Sequence, residues 1–276
     1  MYSPRSNERS NIKSSYGKKL MDKKSYGIAL FSYDSKEYKI VMVQKRNTYA
    51  FMDFILGHFG KNDDHRILEL FNGMTVDEKM TILSGDFGLM WYRAWLINPE
   101  SMISPIDKKI TNDEFNKYTK CKKHFDRMFI QDGGKRLKSL INKSYNNGGK
   151  WEIPKGRRTH SENGEHEKDL TCAIREFYEE TGISPECYNL LTDIEPRKII
   201  TADNKYRYVC YYYIAIANEG LRIDKVRLTD HQLITEIVDI KLMGLKELEL
   251  MDPSKQYYNF SKGIIKFAKK NKLFRI

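Results

Sequence analysis

The chain has 276 residues, 40% of them hydrophobic and 12% aromatic, enough to bury an ample core in one large or two modest domains, which excludes a disordered polymer. A net charge of +11, from 48 Lys and Arg against 37 Asp and Glu, points to a polyanionic partner such as nucleic acid. No apolar run reaches membrane-spanning length and the N-terminus has no apolar leader. Cys121, Cys172, Cys187 and Cys210 form neither a CxxC pair nor a Cys/His zinc spacing, so a soluble, unsecreted protein with reduced thiols and no membrane contact is expected.

Residues 1–24 are rich in Ser, Lys, Arg and Asn and read as a flexible basic tail, either an inert leader or an arm that touches RNA. Two β-type runs, Ile28 to Tyr33 and Tyr38 to Val43, flank an Asp34-Ser35-Lys36 turn and predict a hairpin. Gln44-Lys45-Arg46 then brings positive charge to the end of the second strand. From Tyr49 to Asn147 the pattern is helical, in the segments HRILELFNGM, VDEKMTILSGDFGLMWYRAWL, DEFNKYTKCKKHFDRMF and GGKRLKSLINKSY. Thr75 with Glu78 fits a capping box, and Pro99 and Pro105 break the helices apart. Trp91, Tyr92 and Trp95 stand at helical spacing, where an aromatic cluster is more often core than a base-stacking platform. Lys120, Lys122, Lys123, Lys135, Arg136 and Lys138 belong to a stretch with few acids. A charge run is usually a solvated face, but next to a phosphate-cutting centre it reads as a surface that tracks a nucleic-acid backbone.

That centre is expected in the next stretch. Asn146-Asn147-Gly148-Gly149 returns the chain into Trp151-Glu152-Ile153-Pro154-Lys155-Gly156, where Ile153 ends a strand and Gly156 lets its carbonyl approach a metal. Lys155 and Arg157 are placed to meet phosphates. In the helix that follows, Glu176 and Glu180 share one stripe with Glu179 on its edge, so three carboxylates converge. Such a cluster repels itself unless a cation neutralises it, and an all-oxygen set suits Mg²⁺ or Mn²⁺. Arg175 stands one turn before Glu179 and can fix its rotamer. Ile174, Phe177 and Tyr178 are expected to anchor the helix, and Gly182 followed by Ile183 to stop it. A plain solvated acidic face is the competing reading; the anchor, the glycine stop and the upstream Pro-Lys-Gly turn all favour the metal site. Beyond the helix, Lys198 to Thr201 and Tyr206 to Ala217 predict paired strands around Asp203-Asn204, with Tyr211, Tyr212 and Tyr213 buried or at an edge. Leu233 to Leu242 predicts a later strand, and SKGIIKFAKKNKLFRI an amphipathic basic helix packed on the sheet.

Arg175-Glu176-Phe177-Tyr178-Glu179-Glu180-Thr181-Gly182-Ile183 fits R-E-U-x-E-E-x-G-U, with U a bulky apolar residue. With Glu167 eight positions earlier it resembles the Nudix box. The segments VQKR, FNGMT, DFGLMWYRAW, GGKRLKSLIN, WEIPKG and TCAIREFYEETGI, in this order, resemble the mRNA-decapping Nudix hydrolases of large cytoplasmic DNA viruses, of the African swine fever virus and mimivirus type. The resemblance covers roughly residues 25–276. It implies an α+β fold: a Nudix α/β/α sandwich with a mixed sheet, interrupted near its N-terminus by an all-helical insertion. The Nudix domain is then 25–48 plus 148–276, and 49–147 is an insertion that binds RNA. The implied activity is divalent-metal-dependent release of methylated GDP from capped RNA, leaving a 5′-monophosphate, in the host cytoplasm, with packaging in the virion left open. Carried over to this chain, Glu176, Glu179, Glu180 and the Gly156 carbonyl become metal ligands and Arg175 their orienter. Lys45, Arg46, Lys155 and Arg157 join the lysines above in contacting substrate. The interval from Gly156 to Glu167 is five residues longer than usual, and Glu162 has the usual distance from Gly156. Glu167 is preferred because the helix fixes register on its own side. Glu236, in Glu236-Ile237-Val238-Asp239-Ile240, matches a decapping-type general base, with Glu180 its rival. Competing readings are a hydrolase of diphosphoinositol or dinucleoside polyphosphates and a non-catalytic RNA-binding protein. No protein partner is deducible.

Overall fold

The computed structural model describes residues 21–34, 37–95, 111–145, 150–159, 164–202, 206–219, 221, 223, 236–251 and 254–271. Most of the tail, the Ser35-Lys36 and Asp203-Asn204 turns, Pro99, Pro105, Asn146 to Gly149 and Glu162 lie outside them. The chain forms two compact units, one of Met1–Val43, Glu152–Leu233 and Ile240–Ile276, the other of Gln44–Trp151 and Ile234–Asp239. There the Arg46 peptide N–H donates to the Glu236 carbonyl at 2.8 Å.

The first unit is built on one mixed sheet. Its strands are β1 (Met21–Asp34), β2 (Glu37–Lys45), β3 (Trp151–Glu152), β4 (Lys155–Gly156), β5 (Tyr188–Leu190), β6 (Arg197–Ala202), β7 (Tyr206–Ala217) and β8 (Ile237–Met243). The order is β3-β2-β1-β7-β5, with β4 on β1, β6 on β7 and β8 on β2. β1 and β2 form the expected antiparallel hairpin, Phe31 opposite Ile40. β1 also runs parallel to β7, from Met21 opposite Tyr206 to Phe31 opposite Ile216. That pairing explains why the strand starts at Met21, inside the segment read as tail. Asp22 accepts two hydrogen bonds from Arg207, and the Lys23 ammonium lies 3.5 Å from the centre of the Tyr206 ring, so cross-strand partners supply what the polar sequence lacks in apolar pattern. Ile28, Ala29, Leu30 and Phe31 are all buried, as a strand covered on both faces requires.

Two helices provide the cover. Helix α7 (Asp169–Thr181) holds Asp169 within hydrogen-bond reach of Tyr26, which stacks on Tyr211, while Phe260 of helix α9 (Gln256–Lys270) packs edge-on against Tyr212 at 5.4 Å. Tyr211 and Tyr212 are successive strand residues and point to opposite faces. The layering is therefore helix, sheet, helix. Of the expected tyrosine triplet, Tyr212 alone is fully buried. Between β8 and α9 lies α8 (Leu245–Met251).

The second unit contains α1 (Tyr49–Ile55), α2 (Asp64–Asn72), α3 (Val76–Leu83), α4 (Phe87–Trp95), α5 (Asn112–Phe125), a π-turn at Asp126–Ile130, and α6 (Lys135–Lys143). The run read as one segment from Val76 is two helices, broken where Gly85 takes φ +72°. Phe54 is the hub of the core, with Phe59, Phe71, Phe125 and Phe129 around it. Trp91 is buried with Trp95 against it at 4.0 Å, whereas Tyr92 is exposed, so the aromatic trio divides between core and surface.

The Thr75 capping box forms as expected, and Glu78 does more than cap. Fully buried, its carboxylate also accepts from the Thr48 peptide N–H at 2.6 Å and the Thr48 hydroxyl at 2.9 Å. Lys79, its neighbour, donates to the Tyr145 carbonyl. Adjacent residues of α3 thus hold the first and last described parts of this helical stretch. Glu78→Ala strands two buried donors of Thr48 and the part-buried Thr75 N–H, each buried donor costing about 1–3 kcal/mol when unpaired. Urea unfolding of the variant should show a loss of about 3 kcal/mol or more, and an unshifted midpoint contradicts the clamp.

Candidate active site

Helix α7 starts with Asp169 in its first turn and ends where Gly182 adopts φ +65°, its N–H returning to the Tyr178 carbonyl at 2.7 Å. The buried stripe is Cys172, Ala173, Phe177, Glu180 and Thr181, with Phe177 edge-on to Tyr188. Tyr178, expected as an anchor, is 50% exposed: one residue past Phe177 turns it about 100° away from the core.

Arg175 organises the exposed side. Its Nε and Nη2 donate to the two oxygens of Glu167, each at 2.9 Å; Nη1 donates to Glu176 at 2.9 Å and Glu179 at 2.8 Å; Nη2 also reaches the Arg157 carbonyl at 3.0 Å. A guanidinium has five N–H donors in a rigid fork, and here each meets an acceptor. Glu167 additionally accepts from the peptide N–H and hydroxyl of Thr159. These bonds to the charged carboxylate, Arg175 foremost, pull its pKa from 4.5 down to about 2. The same acids raise the Arg175 pKa further. Glu167 is thus the acid that engages Arg175 and Thr159 among the described residues, while its rival Glu162 lies outside them.

The Pro-Lys-Gly turn meets the helix from the sheet side. Tyr26 and Gly27 of β1 pair with Gly156 and Lys155 of β4. A Cβ on Gly156 would collide with the Glu176 carboxylate, so only glycine lets this backbone lie against that acid. Gly27 is the counterpart that sequence reasoning missed. A Cβ there would strike the Pro154 carbonyl and the Lys155 side chain, and a glycine inside a strand pattern is the signal that marks such a close approach. The Lys155 peptide N–H donates to Glu180 Oε2 at 3.0 Å, and Glu180 is only 4% exposed. Cys172 lies beneath, its thiol toward the Gly156 carbonyl and its pKa pushed up to about 12 by burial and by Glu167 and Glu176.

The donors fit a hard divalent ion: carboxylates at Glu176, Glu179 and Glu180, and a carbonyl at Gly156 on a backbone that admits no side chain. Among the described residues no three acids, histidines or cysteines are drawn into one cage; Arg175 bonds Glu176 and Glu179, and the Lys155 peptide bonds Glu180.

The remaining expected residues divide. Lys155 turns its ammonium to the buried Glu152 at 2.8 Å and away from solvent. Arg157 is exposed. In the second unit Lys45 reaches Glu236 at 3.3 Å, and the Glu236 side chain is 68% exposed. Arg46 is half-buried there. Arg136 is a tether, bonded to Asp64 and the Lys61 carbonyl, and Lys122 pairs with Asp126 at 2.6 Å. Lys120, Lys123, Lys135 and Lys138 are exposed. Lys122, Lys123 and Arg127, with Gly85 and Ile130, line an open surface depression of about 690 Å³.

Comparison with known proteins places this geometry in a family. A model described as NUDIX domain matches residues 127–263. The mRNA-decapping protein g5R of African swine fever virus is 35% identical over 217 residues, covering 78% of this chain and 80% of that one. The chain belongs to the Nudix family. To this Nudix protein a putative mRNA-decapping protein of Acanthamoeba polyphaga mimivirus is 28% identical over 224 residues, 76% of this chain and 59% of its relative. Among solved structures a C. elegans Ap4A hydrolase aligns over 88% of this chain and 97% of its own at 11% identity, with a TM-score of 0.38, too low to carry an argument. No helix among the described residues is long and apolar enough to cross a membrane.

The depressed Glu167 pKa fixes a pH dependence. Its folded-state value lies below the unfolded one, so the stabilisation is fully present above about pH 4.5 and is lost as pH falls toward about 2. The gap corresponds to on the order of 3 kcal/mol. Unfolding followed from pH 6 to pH 3 should show a steeper acid loss for the wild type than for Glu167→Gln, and parallel slopes contradict the Arg175 bond.

Proposed function

We propose that this Nudix protein hydrolyses the pyrophosphate linkage of capped RNA, releasing methylated GDP and leaving a 5′-monophosphate, with Mg²⁺ or Mn²⁺ held by Glu176, Glu179, Glu180 and the Gly156 carbonyl. The observation that carries this reading is the extent of the likeness to the g5R decapping protein. It runs over 217 residues, whereas the family match from 127 to 263 spans 137, so at least 80 (217 less 137) aligned positions lie outside the matched domain. The two chains share more than the chemistry common to the family, and the helical unit is the part a long polyanionic substrate needs.

Each chain group has a task. Arg175 sets the rotamers of Glu176 and Glu179, and Glu167 fixes Arg175 in turn. Gly156, having no side chain, lets its backbone lie against the Glu176 carboxylate. Glu176, Glu179, Glu180 and the Gly156 carbonyl would hold a divalent ion, which would supply neutralisation of the charge that develops on the phosphates. The proton of the attacking water goes to a carboxylate, for which Glu180 and Glu236 are the candidates. The exposed lysines of α5 and α6 give the helical unit its charge for tracking the RNA backbone, with Arg136 and Lys122 in supporting ion pairs. The setting is the host cytoplasm.

Purified protein with Mn²⁺ should release methylated GDP from cap-labelled RNA, and Glu176→Gln should lower turnover at least a hundredfold. Glu236→Gln with undiminished turnover leaves Glu180 as the base. Cleavage of diphosphoinositol or dinucleoside polyphosphates without cap release contradicts the RNA assignment. Reversing Lys120, Lys123 and Lys138 to Glu should weaken RNA binding and flatten its salt dependence while small-substrate turnover survives. Equal loss of both means that those lysines do not act through RNA.

A further inference from the structure

The Pro-Lys-Gly turn contains a buried ion pair that metal binding does not require. Glu152 is 1% exposed, and its Oε1 lies 2.8 Å from the ammonium of Lys155, itself 13% exposed. The peptide N–H of the same lysine donates to Glu180. Lys155 thus sets its ammonium beside a buried carboxylate and bonds a carboxylate of the catalytic helix with its backbone. The next residue, Gly156, lies against Glu176. On the other side the turn is pressed onto β1, where Gly27 leaves room for nothing larger than hydrogen beside the Pro154 carbonyl.

Burying two charges costs several kcal/mol of desolvation per ion, and apolar residues of similar volume commonly serve stability as well. Stability alone therefore gives little reason for Glu152 and Lys155. Position does: an ion pair three residues apart, closed inside the protein, fixes the peptide between them. A lysine committed inward is also a poor phosphate ligand.

We propose that Glu152 is a positioning residue of the hydrolase. By holding the Lys155 ammonium it sets the Lys155 peptide, and through that peptide the placement of Glu180 and the Gly156 carbonyl. This rests on the Nudix hydrolase reading above and changes the role of Lys155 from substrate contact to internal brace.

The test uses the full chain and two readouts: steady-state release of methylated GDP with Mn²⁺, and Mn²⁺ binding without substrate, followed by the electron paramagnetic resonance of free Mn²⁺. Glu152→Gln keeps the shape and removes the charge. The expected result is a kcat at least tenfold lower, a KM for capped RNA within twofold of wild type, and severalfold weaker Mn²⁺ binding. Lys155→Met should show the same split, and the double variant should lose no more than the worse single one, as coupled residues do. A folded Glu152→Gln with wild-type kcat and Mn²⁺ affinity overturns the proposal. So does a Lys155→Met that raises KM tenfold at unchanged kcat, because the ammonium would then bind phosphate. Should Glu152→Gln fail to fold, Glu152→Asp carries the test: it keeps the charge but draws Lys155 in by one methylene, so kcat falls with KM kept, and an unchanged kcat overturns the idea. A wild type that binds Mn²⁺ but releases no methylated GDP defeats the decapping reading, while the Mn²⁺ arm still decides the role of Glu152.

Discussion

The site depends on one guanidinium. Arg175 collects Glu167, Glu176 and Glu179 and anchors to the Arg157 carbonyl, so every N–H it owns is used. Carboxylates this crowded repel one another, and their charge must be met by a cation near at hand. Arg175 does so from inside the chain and, being a rigid fork, also dictates where each carboxylate stands. The rest of the first unit keeps this fork in place. Glu167 ties it to the loop at Thr159, Phe177 pins its helix to the sheet, and Gly182 ends the helix one residue past Thr181.

The second constraint is close backbone approach. Two glycines from distant parts of the sequence, Gly27 and Gly156, let a strand, a turn and a helix meet without intervening side chains. The sheet register that pairs them puts the turn where the Lys155 peptide N–H reaches Glu180 and the Gly156 carbonyl lies near the Cys172 thiol. The parallel pairing of β1 with β7 supplies the rigid base for this meeting. Membership of the Nudix family accounts for anhydride cleavage.

Much of this was legible from residue spacing. The hairpin, the Thr75 capping box, the glycine stop and the engagement of Arg175 with Glu179 follow from local rules that need no tertiary knowledge. What escaped depends on partners far away in sequence. Met21 to Lys24 look like tail until Arg207 and Tyr206 lie beside them. Glu180 sits three residues after Phe177 and four after Glu176, on the boundary between two stripes, and the structure turns it to the buried side. Arg136 and Lys122 are indistinguishable from solvated charges in a sequence, yet Asp64 and Asp126 claim them. Glu152 gave no signal, since a lone acid beside a tryptophan reads as surface until its burial is known.

The central claim is that these acids exchange an internal cation for an external one. A crystal structure at saturating Mn²⁺ tests it most directly. The account predicts an ion bound by oxygens of Glu176, Glu179, Glu180 and Gly156, with Arg175 withdrawn from at least one of the two glutamates it bridges. Both glutamates still capped by Arg175, with no ion beside them at saturating manganese, would contradict it.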